Sequence, residues 1–205
     1  MASSLITVLG RKSTIKQTAQ QTLAHGGLIS YLQTKPDGTH SPYEMNINYF
    51  DALSDPASGE PLEMQVKRFM AAQAILLSLR GVPGIYFHSL FGSRNWLEGV
   101  ELTQHNRTIN RQKLERAVLE NELAAPNSLR AQGFEHYRQL LVTRSNSAAF
   151  HPHGGQEILD VGREVFGLRR VSPDGAQQTT CLQNVTAQAQ SALGQTLAPY
   201  QTLWV

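Results

Sequence analysis

Cysteine is almost missing from this 205-residue chain: Cys181 stands alone. One cysteine excludes an intrachain disulfide and any cysteine-built zinc site, and makes the cytoplasm the expected compartment. No His-containing motif surrounds Cys181, so it reads as a small buried hydrophobe rather than a reactive thiol. Charge of one sign is missing too. The formal net charge is +2, with the basic residues scattered, which argues against a nucleic-acid partner. No apolar run is long enough to span a membrane. The apolar stretch Leu5–Leu9 is short for a signal-peptide core, and no small-residue cleavage site follows it. There is no internal repeat, no long low-complexity tract and no His-Asp pair. What remains, 40% hydrophobic and 17% charged residues, is the composition of a globular chain with a real core.

Periodicity predicts a helix over residues 13–24, opened by Ser13 or Thr14 and closed by His25-Gly26-Gly27. Leu28 to Leu32 reads as a strand and Pro36-Asp37-Gly38 as a turn. Tyr43 to Tyr49 reads as a second strand that alternates Tyr43, Met45, Ile47 and Tyr49 on one face. Residues 54–61 are a loop. The strongest helix pattern is Glu63 to Leu79, with Val66, Phe69, Met70, Ile75, Leu76 and Leu77 on a broad apolar surface. Gly81-Val82-Pro83-Gly84 stops it. Ile85-Tyr86-Phe87 then reads as a short buried parallel strand, half of a βαβ unit. A long polar loop over 88–112 and helices over 113–124 and 127–145 follow. After His151-Pro152-His153-Gly154-Gly155 the texture changes. Glu164–Val171 and Thr179–Val185 read as a hairpin around Pro173-Asp174-Gly175, with a last strand within Leu197–Val205.

The loop after a parallel strand is where ligands meet such folds. That loop carries His88, Arg94, Asn95, Trp96, Asn110 and Arg111. Arginine offers a planar fork of donors to oxyanions and hydroxyls, asparagine both donates and accepts, and tryptophan offers a face for stacking. By composition alone a plain surface loop is the better explanation of the segment. The histidines show no metal-ligand spacing. His151 and His153 make at most a chance site, and no metal or cofactor is expected.

Four motifs in order carry a resemblance: Ser41–Leu53 (SPYEMNINYFDAL), Arg80–Tyr86 (RGVPGIY), Gly92–Asn95 (GSRN) and Thr108–Arg111 (TINR). Together they resemble sucrose phosphorylases and their glucosylglycerate phosphorylase relatives in the α-amylase clan. The resemblance implies an α/β fold: the last helix-strand units of a partial (β/α)8 TIM barrel over 1–149, with an inserted hairpin at about 28–49, then a small antiparallel β domain over 150–205. It implies that Arg111 contacts a glucosyl unit, that Gly92–Trp96 forms an acceptor loop, and that a small-molecule glucoside and phosphate are the partners. Trp96 stands where many sucrose phosphorylases carry an acidic residue, which suits a glycerate- or glycerol-type glucoside at least as well as sucrose.

Retaining glucosyl transfer needs two carboxyl groups, one attacking the anomeric carbon and one protonating the leaving oxygen. The family's nucleophile and acid lie upstream of every matched motif, and its third carboxylate belongs to a His-Asp pair. No catalytic residue is therefore assigned in this chain. Glu44 and Asp51 fall at positions that are structural in the family pattern; Glu98 and Glu101 lie near the motifs. Residues 1–12 do not resemble the expected segment, which points to a truncated or frame-shifted start or an unrelated leader. Three readings follow: a C-terminal fragment inactive alone and steadied by self-association or by a missing N-terminal half, an enzyme half completed in trans, and a non-catalytic carbohydrate-binding or interaction remnant.

Overall fold

The computed structural model describes residues 12–32, 38 and 40–205. The expectations for Leu5–Leu9 and for Pro36 and Asp37 of the predicted turn lie outside the described residues. In chain order the helices are α1 (Lys12–Ala24), α2 (Tyr49–Leu53), α3 (Leu62–Ser78), α4 (Phe87–Leu90), α5 (Leu97–Thr103), α6 (Arg116–Ala124) and α7 (Leu129–Ser145). Short 3-10 turns lie at Asn106–Asn110 and Ala148–Phe150. The strands are β1 (Leu28–Leu32), β2 (Ser41–Asn46), β3 (Gly155–Leu159), β4 (Val165–Val171), β5 (Gln178–Asn184), β6 (Gln190–Ala192), β7 (Gln195–Leu197) and β8 (Thr202–Trp204). No helix among the described residues is long and apolar enough to cross a membrane.

The chain divides into two compact units. One comprises the residues up to Gly59 together with Gly92–Arg116; the other comprises Glu60–Phe91 and Ala117–Val205. In the first, α1 ends as its glycines predict. Gly26 takes φ 75°, and the Gly27 N–H returns to the Thr22 carbonyl at 2.8 Å. A side chain at Gly27 would meet the Thr22 and Asn46 carbonyl oxygens at 2.9 and 3.0 Å, so close approach, too, demands glycine there. The β1–β2 pair is antiparallel, with its register shifted between Ser30 and Tyr31.

In the second unit, α3 buries Val66, Phe69, Ala74 and Leu77 almost completely. Each large apolar side chain so placed contributes about 1.5–3 kcal/mol. Ile75 and Leu76, expected on the same surface, are only half-buried. Helix α7 is capped by Ser128, whose Oγ accepts from the Ala131 N–H at 3.0 Å. It joins α3 through the buried Tyr137 hydroxyl, which donates to Gln73 Oε1 at 2.8 Å. The sheet order is β3-β4-β5-β8, all antiparallel, with β6-β7 as a separate hairpin. The predicted β4–β5 hairpin forms. Its core divides into one cluster of Val165, Leu182, Ala192 and Leu197 and another of Phe150, Leu168 and Cys181.

Two guanidiniums, one fully buried and one half-buried, fasten this sheet to the end of α3. Arg170 is fully buried and donates to the carbonyls of Ser78 (2.9 Å), His151 (3.0 Å) and Gly155 (3.1 Å). Arg144 donates to those of Leu77, Gly81 and Phe150, and its guanidinium lies 5.3 Å from the Phe150 ring centre. Among the described residues neither has a carboxylate partner, and burial pulls both below the ordinary arginine range.

The strand expected over Tyr43 to Tyr49 runs instead over Ser41–Asn46, with Tyr49 starting α2 and Tyr43 exposed, and a second local expectation fails outright. Ile85-Tyr86-Phe87 is no strand: residues 82–86 run without a ladder and Phe87 starts α4. A parallel strand draws its hydrogen bonds from neighbouring strands, and among the described residues none pairs with this segment. Val82 is therefore 83% exposed and Tyr86 49%. The polar loop expected over 88–112 also contains structure, namely α5 and the turn at Asn106–Asn110.

Candidate functional site

Five of the six singled-out residues belong to the first unit; His88 belongs to the second. His88 lies in α4 rather than at a strand end. It is buried, with the rings of Tyr86 and Phe87 centred 5.4 and 5.5 Å away.

In the first unit, Asp51 and Asn48 organise the loop that carries Arg94, Asn95 and Trp96. The Asp51 carboxylate is buried and accepts from Arg94 Nη1 and from the Asn95 N–H, both at 2.7 Å. Burial pushes the Asp51 carboxyl above its ordinary range, against the opposing pull of the Asn95 N–H and the Arg94 charge. The Arg94 guanidinium also lies 4.9 Å from the centre of the Phe50 ring. Asn48 donates through Nδ2 to the carbonyls of Arg94 (2.6 Å) and Ile109 (3.2 Å), and its own N–H donates to Asn95 Oδ1 (2.7 Å). The Trp96 N–H reaches the Ile109 carbonyl at 2.8 Å, and its indole lies over Gly99. Arg94 and Asn95 thus spend much of their hydrogen-bonding capacity on holding the loop. Asn110 is half-buried at the end of its 3-10 turn.

Arg111 is exposed and lines an open cleft of about 590 Å³ with Ser30, Gln104, His105, Asn106, Arg107 and Thr108. Arg107 donates from Nε to Glu44 Oε2 at 2.7 Å, which holds its guanidinium above the ordinary arginine value. Gln104 takes φ 56° where α5 ends, turning the chain into the cleft wall. Two arginines, a histidine, amides and hydroxyls suit oxyanions and sugar hydroxyls. Among the described residues no carboxylate lines the cleft. Sequence reasoning passed over Ser30, Gln104, His105 and Arg107. The only available signal was that Gln104–Thr108 immediately precedes the Asn110-Arg111 motif.

No family model matches the sequence. Among curated proteins, glucosylglycerate phosphorylase of Spirochaeta thermophila is 51% identical over 161 residues, 78% of this chain and 27% of that protein. The glucosylglycerate phosphorylase of Allomeiothermus silvanus is 42% identical over 203 residues, 93% of this chain and 36% of that protein. This chain resembles the C-terminal part of a sucrose phosphorylase or glucosylglycerate phosphorylase-like enzyme. It spans between about a quarter and two-fifths of the length of these curated relatives. Among solved structures, the sucrose 6F-phosphate phosphorylase of Thermoanaerobacter thermosaccharolyticum superposes with a TM-score of 0.70 at 19% identity, covering 95% of this chain and 34% of that one. At that identity the likeness concerns the fold, and it bears out a partial barrel followed by a small β domain.

Proposed function

We propose that the chain is part of a retaining α-glucoside phosphorylase of the glucosylglycerate phosphorylase type, with 1–149 as its barrel portion, 150–205 as its β domain and the cytoplasm as its compartment. In this reading the cleft around Arg111 helps hold a glucoside and phosphate in turn. The overall exchange converts glucoside and phosphate to α-glucose 1-phosphate and the free alcohol. A glycerate-type glucoside is favoured over sucrose by the names of the two relatives and by Trp96.

The observation that carries the reading is the cleft's chemistry, which has arginine and histidine donors and, among the described residues, no carboxylate. Such a cleft can hold an oxyanion or a sugar. It cannot supply the pair of carboxyl groups, about 5–5.5 Å apart, on which retaining transfer depends. Glu44 is engaged by Arg107, and Asp51 is buried against Arg94. The chain alone is therefore expected to be inactive. The test is release of glucose 1-phosphate from glucosylglycerate or sucrose in phosphate, with Arg111→Ala as control. Absence of release supports the reading; release that Arg111→Ala abolishes places a catalytic pair within these residues and overturns it.

A second reading, an enzyme half completed in trans, is favoured by the exposed Val82–Tyr86 segment, whose backbone has no ladder partner among the described residues. Coexpression with the N-terminal part of a relative would then yield phosphate-dependent release that neither piece gives alone.

A further inference from the structure

The second unit contains a groove of about 580 Å³ between α3, α7 and the C-terminal strand, lined by none of the residues discussed as a substrate contact. Trp204 and Tyr200 form its aromatic part. Trp204 is half-buried, its ring 4.8 Å from that of Phe150. With the Gln183 amide turned so that its oxygen faces the indole, Trp204 Nε1 donates to it at 2.9 Å. The indole's one donor is thereby used, and the ring can offer only its surface to a ligand. Tyr200 is fixed in a left-handed conformation, φ 54°. Arg68 lies 4.9 Å from its ring centre and donates to its hydroxyl at 3.1 Å.

The opposite wall is one face of α7, where Gln132, His136, Gln139 and Thr143 follow at helical spacing. Each already spends a donor on an atom that can only accept. Gln132 Nε2 donates to the Asn127 carbonyl (3.2 Å), His136 Nδ1 to the Gln132 carbonyl (2.7 Å), Gln139 Nε2 to the Glu135 carboxylate (3.0 Å) and Thr143 Oγ1 to the Gln139 carbonyl (3.0 Å). These partners settle the amide orientations and the histidine tautomer. Gln132 Oε1, Gln139 Oε1 and the lone pairs of Thr143 remain as acceptors, and each of the two amide nitrogens keeps a second N–H donor. The charged pair on the α3 side, Glu63 and Lys67, is closed on itself at 2.6 Å.

We propose that this groove is a binding site for a neutral polyhydroxylated ligand, a mono- or disaccharide, with its C–H face on Trp204 and its hydroxyls donating to the α7 wall. A wall that mixes acceptors with amide donors suits hydroxyls, which both donate and accept. An anion would leave the wall's acceptors unmatched and meet the Glu63 carboxylate, and a cation would meet Lys67. A sugar supplies several hydroxyl donors and an apolar face in one molecule.

The chain has two tryptophans, so Trp96→Phe leaves Trp204 as the sole indole reporter. Titration of that variant with glucose or sucrose is expected to give a saturable fluorescence change. Inorganic phosphate and putrescine are expected to give none. Gln139→Lys combined with Thr143→Lys replaces two exposed acceptors by donors. It should weaken sugar binding by about tenfold or more, on the order of 1 kcal/mol for each lost bond. Two findings overturn the proposal: no saturable response to either sugar, or a response that the double variant leaves unchanged. A response to phosphate or putrescine in place of sugar overturns it as well. The readout is separate from glucose 1-phosphate release, since Trp204, Gln139 and Thr143 all lie outside the unit that holds Arg111.

Discussion

Replacing Asp51 by alanine removes two 2.7 Å hydrogen bonds from a side chain that is 2% exposed. The Asn95 N–H loses its acceptor, which costs about 1–3 kcal/mol for a buried donor. The Arg94 side chain is 36% exposed, so water resolvates much of its guanidinium and the ion pair contributes little beyond this. The sum is about 2–3 kcal/mol, or a fall of about 1 M in a urea midpoint at an ordinary slope for this size. Asp51→Asn should behave differently. Because burial pushes the native carboxyl upward, the charged form is held at a desolvation cost that a neutral amide avoids, while Asn Oδ1 can still accept from Asn95. That variant should lose less than about 1 kcal/mol. The pH dependence has a definite sign. A carboxyl whose folded pKa lies above its unfolded value adds stability that is complete below the unfolded value and is lost as pH rises through the folded one. Wild type should therefore gain on Asp51→Asn as the solution is acidified through the carboxylate range. Urea unfolding across pH measures all three quantities. Equal losses for the two variants, or a loss below about 0.5 kcal/mol for alanine, would refute the reasoning.

Gly99→Ala should displace the Trp96 indole, because the new Cβ would lie 2.1 Å from its Cε3. We expect a shifted tryptophan emission, and a stability loss of about 1–3 kcal/mol from overpacking despite alanine's better helix propensity. Arg170→Ala leaves three carbonyls without their donor, and calorimetry should register a loss of about 3–5 kcal/mol. Burial raises the Cys181 thiol to about 12. In native protein at pH 8 it should resist a thiol reagent and react fully only after unfolding. This thiol's contribution to stability is complete below its unfolded pKa and declines as pH rises from there towards 12.

What the sequence announces is what depends on neighbours along the chain. Helix α3 is visible in the spacing of Val66, Phe69 and Met70, the end of α1 in Gly26-Gly27, and the β4–β5 hairpin in Asp174-Gly175. Strand β3 is invisible because it lies at the sheet edge with four of its five residues exposed, and so shows no alternation. The network that shapes the candidate site is equally hidden. Asp51 reaches Arg94 across 43 positions and Asn48 reaches Ile109 across 61, distances at which no local pattern operates. Arg170 sits in a strand as an apparently ordinary polar residue and is fully buried. Ile85-Tyr86-Phe87 has the composition of a strand, yet strand formation needs partners that composition cannot provide.

The guanidiniums of Arg144 and Arg170 have a consequence for how this unit comes apart in acid. Ion pairs such as Glu60–Arg68 and Glu122–Arg130 fail once their carboxylates take up protons. The acceptors around Arg144 and Arg170 are peptide carbonyls, which have no proton to gain in that range. The seam between the end of α3 and the β4 strand should therefore outlast the surface bridges, leaving an acid intermediate in which the sheet still holds the helix end that it grips in the native protein.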